Sequence, residues 1–115
     1  MGTSWEHKLY STADNSVGGI NSAIKTQEKD GWQLAALGQT EESLTFIFKR
    51  PLQDKPYVIW EHNIVELDSD ENVTRRQINS EIEKAVAQYG ANGWSVAAMG
   101  ESPDGFFLIA TRPVS

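Results

Sequence analysis

Two histidines, two arginines and four tryptophans carry most of the chemistry this chain could offer, and they recur at matched places. His7 follows Trp5-Glu6, and His62 follows Trp60-Glu61. These are the only histidines. Paired across an axis between two copies, they would form an acid/base or metal site with Glu6 and Glu61 close by. Two histidines alone make a poor zinc site, which takes three or four protein ligands. Strand alternation also sets Glu6 on the face opposite His7. The plainer reading is that each imidazole is a half-buried flat ring with a polar tip. Arg50 and Arg112 end equivalent segments, as solvated strand ends or, if they converge, as a bidentate clamp for a phosphate or carboxylate. Trp5, Trp32, Trp60 and Trp94 read as core anchors or as an aromatic clamp for a planar ligand. Trp5, His7, Arg50, Trp60, His62 and Arg112 form the candidate ligand-binding set. No catalytic or metal-binding residue is assigned, and no cofactor is expected.

Other patterns fall short of a site. Asp68, Asp70 and Asn72 open like a calcium loop. Val73 then stands where glycine is required and Asn79 where the bidentate glutamate belongs, so a solvated turn and helix cap is expected. No phosphate-binding glycine loop, nucleophile elbow or His-Glu-x-x-His pattern occurs. Cysteine is absent, which removes disulfides, thiolate nucleophiles and cysteine metal sites. The net charge of −6 and the lack of a Lys/Arg run argue against a phosphate-tracking surface, so no nucleic-acid partner is expected. No apolar run approaches the roughly 20 residues that span a bilayer, and the N-terminus lacks a signal-peptide pattern. A cytoplasmic, membrane-free protein is the expectation.

The elements that must position these residues are read from the same duplication. Ile20-Asn21-Ser22 returns as Ile78-Asn79-Ser80. Gly31-Trp32 opens a stretch ending in Arg50-Pro51, as Gly93-Trp94 does for Arg112-Pro113. Each copy reads as strand, helix, strand, strand. The alternation of Trp5 to Tyr10 predicts a half-buried strand, matched by Tyr57 to Leu67. Val17, Ile20 and Ile24 predict a helix over Ser16 to Lys29. Ile78, Ile82, Ala85, Val86 and Tyr89 predict a longer one over Arg75 to Tyr89, with Thr74 and Gln77 as a capping box. Gly31 and Gly93 are expected to stop the helices in the left-handed conformation. Strands Trp32 to Gly38 and Trp94 to Gly100 follow. Turns at Thr40-Glu41-Glu42-Ser43 and Ser102-Pro103-Asp104-Gly105 lead into Leu44 to Arg50 and Phe106 to Arg112. Leu52-Gln53-Asp54-Lys55-Pro56 joins the copies and is too short for a flexible interdomain linker.

At 115 residues, 39% hydrophobic and 23% charged, the chain fits one domain, residues 1–115. It divides into a first repeat over 5–51 and a second over 56–113. A unit of this size has a marginal private core, so the copies should share one. Strict alternation puts Trp32, Leu34, Ala36, Leu44, Phe46 and Phe48 on one face and Ala35, Leu37 and Ile47 on the other. In the second copy it groups Ala97, Met99, Phe107 and Ile109. Both faces of each sheet are then apolar, and a helix covers only one. The expected fold is α+β. Two βαββ repeats related by pseudo-twofold symmetry form mostly antiparallel sheets, packed together or barrel-like, with helices outside.

The repeat unit resembles domain of unknown function family 4177, a small bacterial and phage family. The matching residues are Trp5-Glu6-His7-Lys8-Leu9, Asp30-Gly31-Trp32-Gln33-Leu34 and Phe48-Lys49-Arg50-Pro51. The second copy matches at Trp60-Glu61-His62, Asn92-Gly93-Trp94-Ser95-Val96 and Thr111-Arg112-Pro113. Histidine stands where the family usually has tyrosine, and the second copy lacks the Phe-Lys before Arg-Pro. The resemblance brings no activity and no functional residues.

The functional expectation is a non-catalytic binding or assembly module that acts through a protein partner or by self-association, with a homodimer favoured. The alternative is a protein that binds or sequesters a small molecule, such as a nucleotide, at the pseudo-twofold axis or a dimer interface. An enzyme built on His7 or His62 ranks third.

Overall fold

A computed structural model describes residues 4–52, 58–68, 74–103 and 105–114. The elements run β1 (Trp5–Thr12), α1 (Val17–Glu28), β2 (Gln33–Gln39), β3 (Leu44–Pro51), β4 (Trp60–Asp68), α2 (Arg75–Ala91), β5 (Ser95–Ser102) and β6 (Gly105–Pro113). The fold is α+β: among the described residues, two helices and two three-stranded antiparallel sheets. The strand orders are β1-β3-β2 and β4-β6-β5. Residues 53 to 56 of the connection, Asp70 and Asn72 of the calcium-like pattern, and Asp104 of the second turn lie outside the described residues.

Local chemistry sets the helix ends. Ser16 Oγ accepts the Gly19 N–H at 3.1 Å. The Ser16 backbone N–H and hydroxyl both donate to Asp14, and these bonds hold the Asp14 carboxyl below its usual range. Thr74 and Gln77 form the expected capping box: Gln77 N–H donates to Thr74 Oγ1 at 3.1 Å and Thr74 N–H to Gln77 Oε1 at 2.8 Å. At the far ends Gly31 (φ 81°) and Gly93 (φ 83°) take the left-handed conformation. Trp32 N–H then donates to Gln27 C=O and Trp94 N–H to Tyr89 C=O, the back-bonds of a Schellman-type stop.

The register departs from strict alternation at one place in each sheet. Leu34 pairs with Phe48, but Ala36 pairs with Ile47 and Leu37 with Phe46. Ala35 is the extra residue of a β-bulge. Cross-strand partners share a face, so Leu37 joins the Phe46 side and Ala36 the Ile47 side, the reverse of the sequence expectation. The second sheet bulges at Ala97: Val96 pairs with Ala110, Ala98 with Ile109 and Met99 with Leu108. Met99 therefore leaves the Phe107–Ile109 face and is 50% exposed. Gly100 faces Phe107, and a Cβ there would lie 2.5 Å from the ring, so the glycine makes room for a buried phenylalanine.

The core joins both halves. Ile20, Ala23 and Ile24 of α1 pack with Leu34, Leu44, Phe46 and Phe48 of the first sheet and with Phe107 and Ile109 of the second. Helix α1 touches both β2 and β4. Its other face, with Asn21, Ser22, Lys25 and Thr26, is exposed, so α1 covers the sheets from outside. Helix α2 rests on β5 and has no buried residue; Val86 of its apolar stripe is 39% exposed.

Candidate functional site

His62 sits at the junction of the two sheets and α1, and it is 3% exposed. Leu34 N–H of β2 donates to His62 Nε2 at 3.1 Å. That makes Nε2 an acceptor and puts the neutral ring's proton on Nδ1, 3.1 Å from Glu28 Oε1. The same carboxylate oxygen accepts the His62 backbone N–H at 2.7 Å and Lys25 Nζ at 3.1 Å. Lys25 Nζ also donates to His62 C=O at 2.9 Å. Burial holds the His62 pKa below the usual histidine value. The Glu28 hydrogen bond and charge oppose this shift, and Lys25 adds to it. Both ring nitrogens of His62 are engaged within the fold. Its carboxylate partner is Glu28, three positions beyond Lys25 on α1, and not Glu61. Nothing in the sequence marked Glu28, because a Lys/Glu pair at helical spacing reads as a solvated face.

His7 lies in the other sheet, opposite Lys49 in β3, and is exposed. The structure therefore does not bring the two imidazoles together. It does bring each arginine to its own tryptophan and glutamate. Glu6 and Arg50 are cross-strand partners and form an ion pair, and the Arg50 guanidinium stacks 4.1 Å from the Trp32 ring centroid. Arg112 pairs with Glu61 and stacks 4.2 Å from Trp94. Arg50 further donates to Asp30 C=O at 2.6 Å. The recurring Trp-Glu, Gly-Trp and Arg-Pro marks thus meet in space as one Glu–Arg–Trp stack per sheet, with each guanidinium held over a ring face and beside a carboxylate. Trp5 lies under Lys49, with the ammonium 5.1 Å from its centroid, and is 47% exposed; Trp60 is half-buried.

Three open regions bear on the site. The first is the β1 side of the first sheet. Trp5, His7 and Leu9 share a face with Pro51, Lys49 and Ile47, and Leu9 is 67% exposed. The corresponding face of the second sheet holds Phe107, Ile109 and Ile64 in the core. The second is a cleft of about 740 Å³ where the hairpin ends of the two sheets meet. Gln39 clips this junction: its Nε2 donates to Glu101 C=O at 2.8 Å and its Oε1 accepts the Glu101 N–H at 3.0 Å. A smaller groove of about 360 Å³ runs between α2 and β4. There Asn63 donates to the Tyr89 hydroxyl at 3.1 Å, and Tyr89 meets Trp94 edge-on. Among the described residues no group of three or more His, Asp or Glu side chains is placed to hold a metal ion, and no helix is long and apolar enough to cross a membrane. Comparison with protein-family models, with curated proteins and with solved structures gives no match.

Proposed function

We propose that this chain is a duplicated βαββ module, of the kind its resemblance to family 4177 implies, that works without catalysis by pairing with a second copy of itself through β1. One observation carries the reading: β1 is an eight-residue edge strand whose only strand neighbour among the described residues is β3, and it displays Trp5 and Leu9 to solvent. An open edge of this length presents unpaired N–H and C=O groups in a row and is a template for another strand. It carries no proline and no bulge to block addition.

The sequence of the edge favours itself as occupant. When two β1 strands run antiparallel about a twofold axis at His7, Glu6 of one chain faces Lys8 of the other, and Trp5 faces Leu9. Opposite charges then meet on one face and apolar side chains on the other. The molecule's form supports the same reading. Its radius of gyration is 15.1 Å and its extents are 52 × 34 × 25 Å, against about 13 Å for a compact domain of this length. The duplication itself draws support from the matched strand orders, the bulges at Ala35 and Ala97, and the two Glu–Arg–Trp stacks.

Native mass spectrometry and light scattering test it. The wild-type chain is expected to be a dimer at micromolar concentration. Lys8→Glu, which sets Glu against Glu across the axis, is expected to give a folded monomer. A wild-type chain that stays monomeric, or a Lys8→Glu variant as dimeric as the parent, overturns the proposal.

A further inference from the structure

The two halves of the chain meet through unlike sides. Helix α1 lies on the side of the first sheet that holds Leu34, Phe46 and Phe48, and that side meets Ile64, Phe107 and Ile109 of the second sheet. Helix α2 lies on the other side of the second sheet, where Val65 pairs with Leu108 and lines a groove with Ala85 and Tyr89. The helix side of one half thus receives the bare side of the other. One helix side and one bare side are left over.

The leftover surfaces correspond to the joined ones. Counted back from Gly31 and Gly93, Val86 stands where Ile24 does, and Ala87 and Gly90 stand where Lys25 and Glu28 do. Ile24 is fully buried in the shared core, whereas Val86 is 39% exposed. Counted on from Trp5 and Trp60, Leu9 stands where Ile64 does and His7 where His62 does. Ile64 packs on the core, whereas Leu9 is 67% exposed. Charge adds a second correspondence. The cross-strand pair His62–Thr111 lies beside the last turn of α1, where Glu28 bonds His62. On the leftover bare side the matching pair is His7–Lys49, and no carboxylate shares that side among the described residues. The last turn of α2 carries no basic residue, and a cation is favoured there. Gly90 leaves room for one: a Cβ at this position meets nothing within 4 Å.

We propose that the α2 side of one chain takes the bare side of a second copy, so that copies join head to tail as the two halves of one chain already do. Leu9 of the incoming copy lies against Ile82 and Val86, and its Lys49 against the last turn of α2. The contact is heterologous. Each added copy leaves one α2 side and one bare side open, and association continues beyond a pair. The contact lacks the Lys25–Glu28–His62 clasp of the internal joint and is weak. It forms at about 100 µM and above, whereas β1 pairing acts at micromolar concentration. Head-to-tail joining rests on the duplicated reading proposed above and not on β1 pairing, so either contact can fail alone.

Sedimentation velocity and light scattering from about 10 µM to about 1 mM test this on the full chain carrying Lys8→Glu, which disables β1 pairing. The average mass is expected to rise past that of two chains. Gly90→Arg, added to that chain, fills the open space and sets a cation against Lys49, and should hold the mass at one chain. Leu9→Arg, added instead, puts a charge into the contact and should do the same. Both positions are exposed, and arginine is a better helix former than glycine, so circular dichroism should show both variants folded. Mixed in equal amounts, the two blocked chains hold one intact α2 side and one intact bare side between them. They should form a one-to-one pair that grows no further. A Lys8→Glu chain that stays monomeric at about 1 mM, or a mixture that does not pair, overturns the proposal. Association that Leu9→Arg abolishes and Gly90→Arg leaves untouched also overturns it, and marks β1 pairing that survives Lys8→Glu.

Discussion

His62 shows how one residue's environment decides between two chemistries. The imidazole that could have titrated beside a twin is instead a neutral acceptor for a backbone N–H, clamped by Glu28 and enclosed by α1 and β2. Protonation would place an N–H against the Leu34 N–H and a charge in a buried site, so the folded state resists it. The folded pKa lies below the ordinary 6.5, and the unfolded chain binds the proton first as pH falls. The stability His62 contributes is therefore complete above about pH 6.5 and is lost as pH drops from there toward the depressed folded pKa. Urea unfolding at successive pH values should show the midpoint declining below about pH 6.5. His62→Gln keeps an acceptor for Leu34 and a donor for Glu28 but cannot titrate in this range. It should flatten the decline, and an unchanged slope would assign the pH dependence to other groups. Of this arrangement the sequence showed only the matched histidines. The burial of one and exposure of the other depend on where α1 lies, which no local pattern encodes.

At the scale of elements, the local signals were readable and their tertiary use was not. The capping box at Thr74, the left-handed Gly31 and Gly93 and the turn at Thr40 are each set by a few neighbouring residues, and each falls where spacing places it. The bulges at Ala35 and Ala97 escaped because one inserted residue flips the alternation beyond it, and a run such as Leu34-Ala35-Ala36-Leu37 is apolar in either phase. The two helices are buried to different extents. Helix α2 has the longer apolar stripe and the better cap, yet α1, weakened at its start by Gly18 and Gly19, is the buried one. Packed over β4 and β2, it buries Ile20 and Ile24 completely. Ile24→Ala should then cost about 2–5 kcal/mol, as for a filled core site. Val86→Ala, in the equivalent phase of α2, should cost less than about 0.5 kcal/mol. Chemical denaturation of the two variants checks this. Equal losses would mean that α2 is covered in solution by something beyond this chain.

At the scale of the whole molecule, the recurring sequence marks account for similar parts but not for their joint. Each half supplies a sheet, a helix and a Glu–Arg–Trp stack, and neither half closes a core. Phe46 and Phe48 of the first half and Phe107 and Ile109 of the second belong to one buried cluster. Three further ties cross the boundary: Leu34 to His62, Lys25 and Glu28 to the His62 backbone, and Gln39 to Glu101. Unfolding either sheet alone would expose the other's apolar face and leave His62, Glu28 and the Leu34 N–H without partners. Such an intermediate has no compensating source of stability, so the chain should unfold in one cooperative step. Trp32 and Trp94 report on opposite halves and can be read separately. With the other three tryptophans replaced by phenylalanine, each single-tryptophan variant should show fluorescence and far-ultraviolet dichroism transitions that coincide within the variant. Two separated transitions would mean that the two halves fold independently and that the shared core is secondary to the private packing of each half.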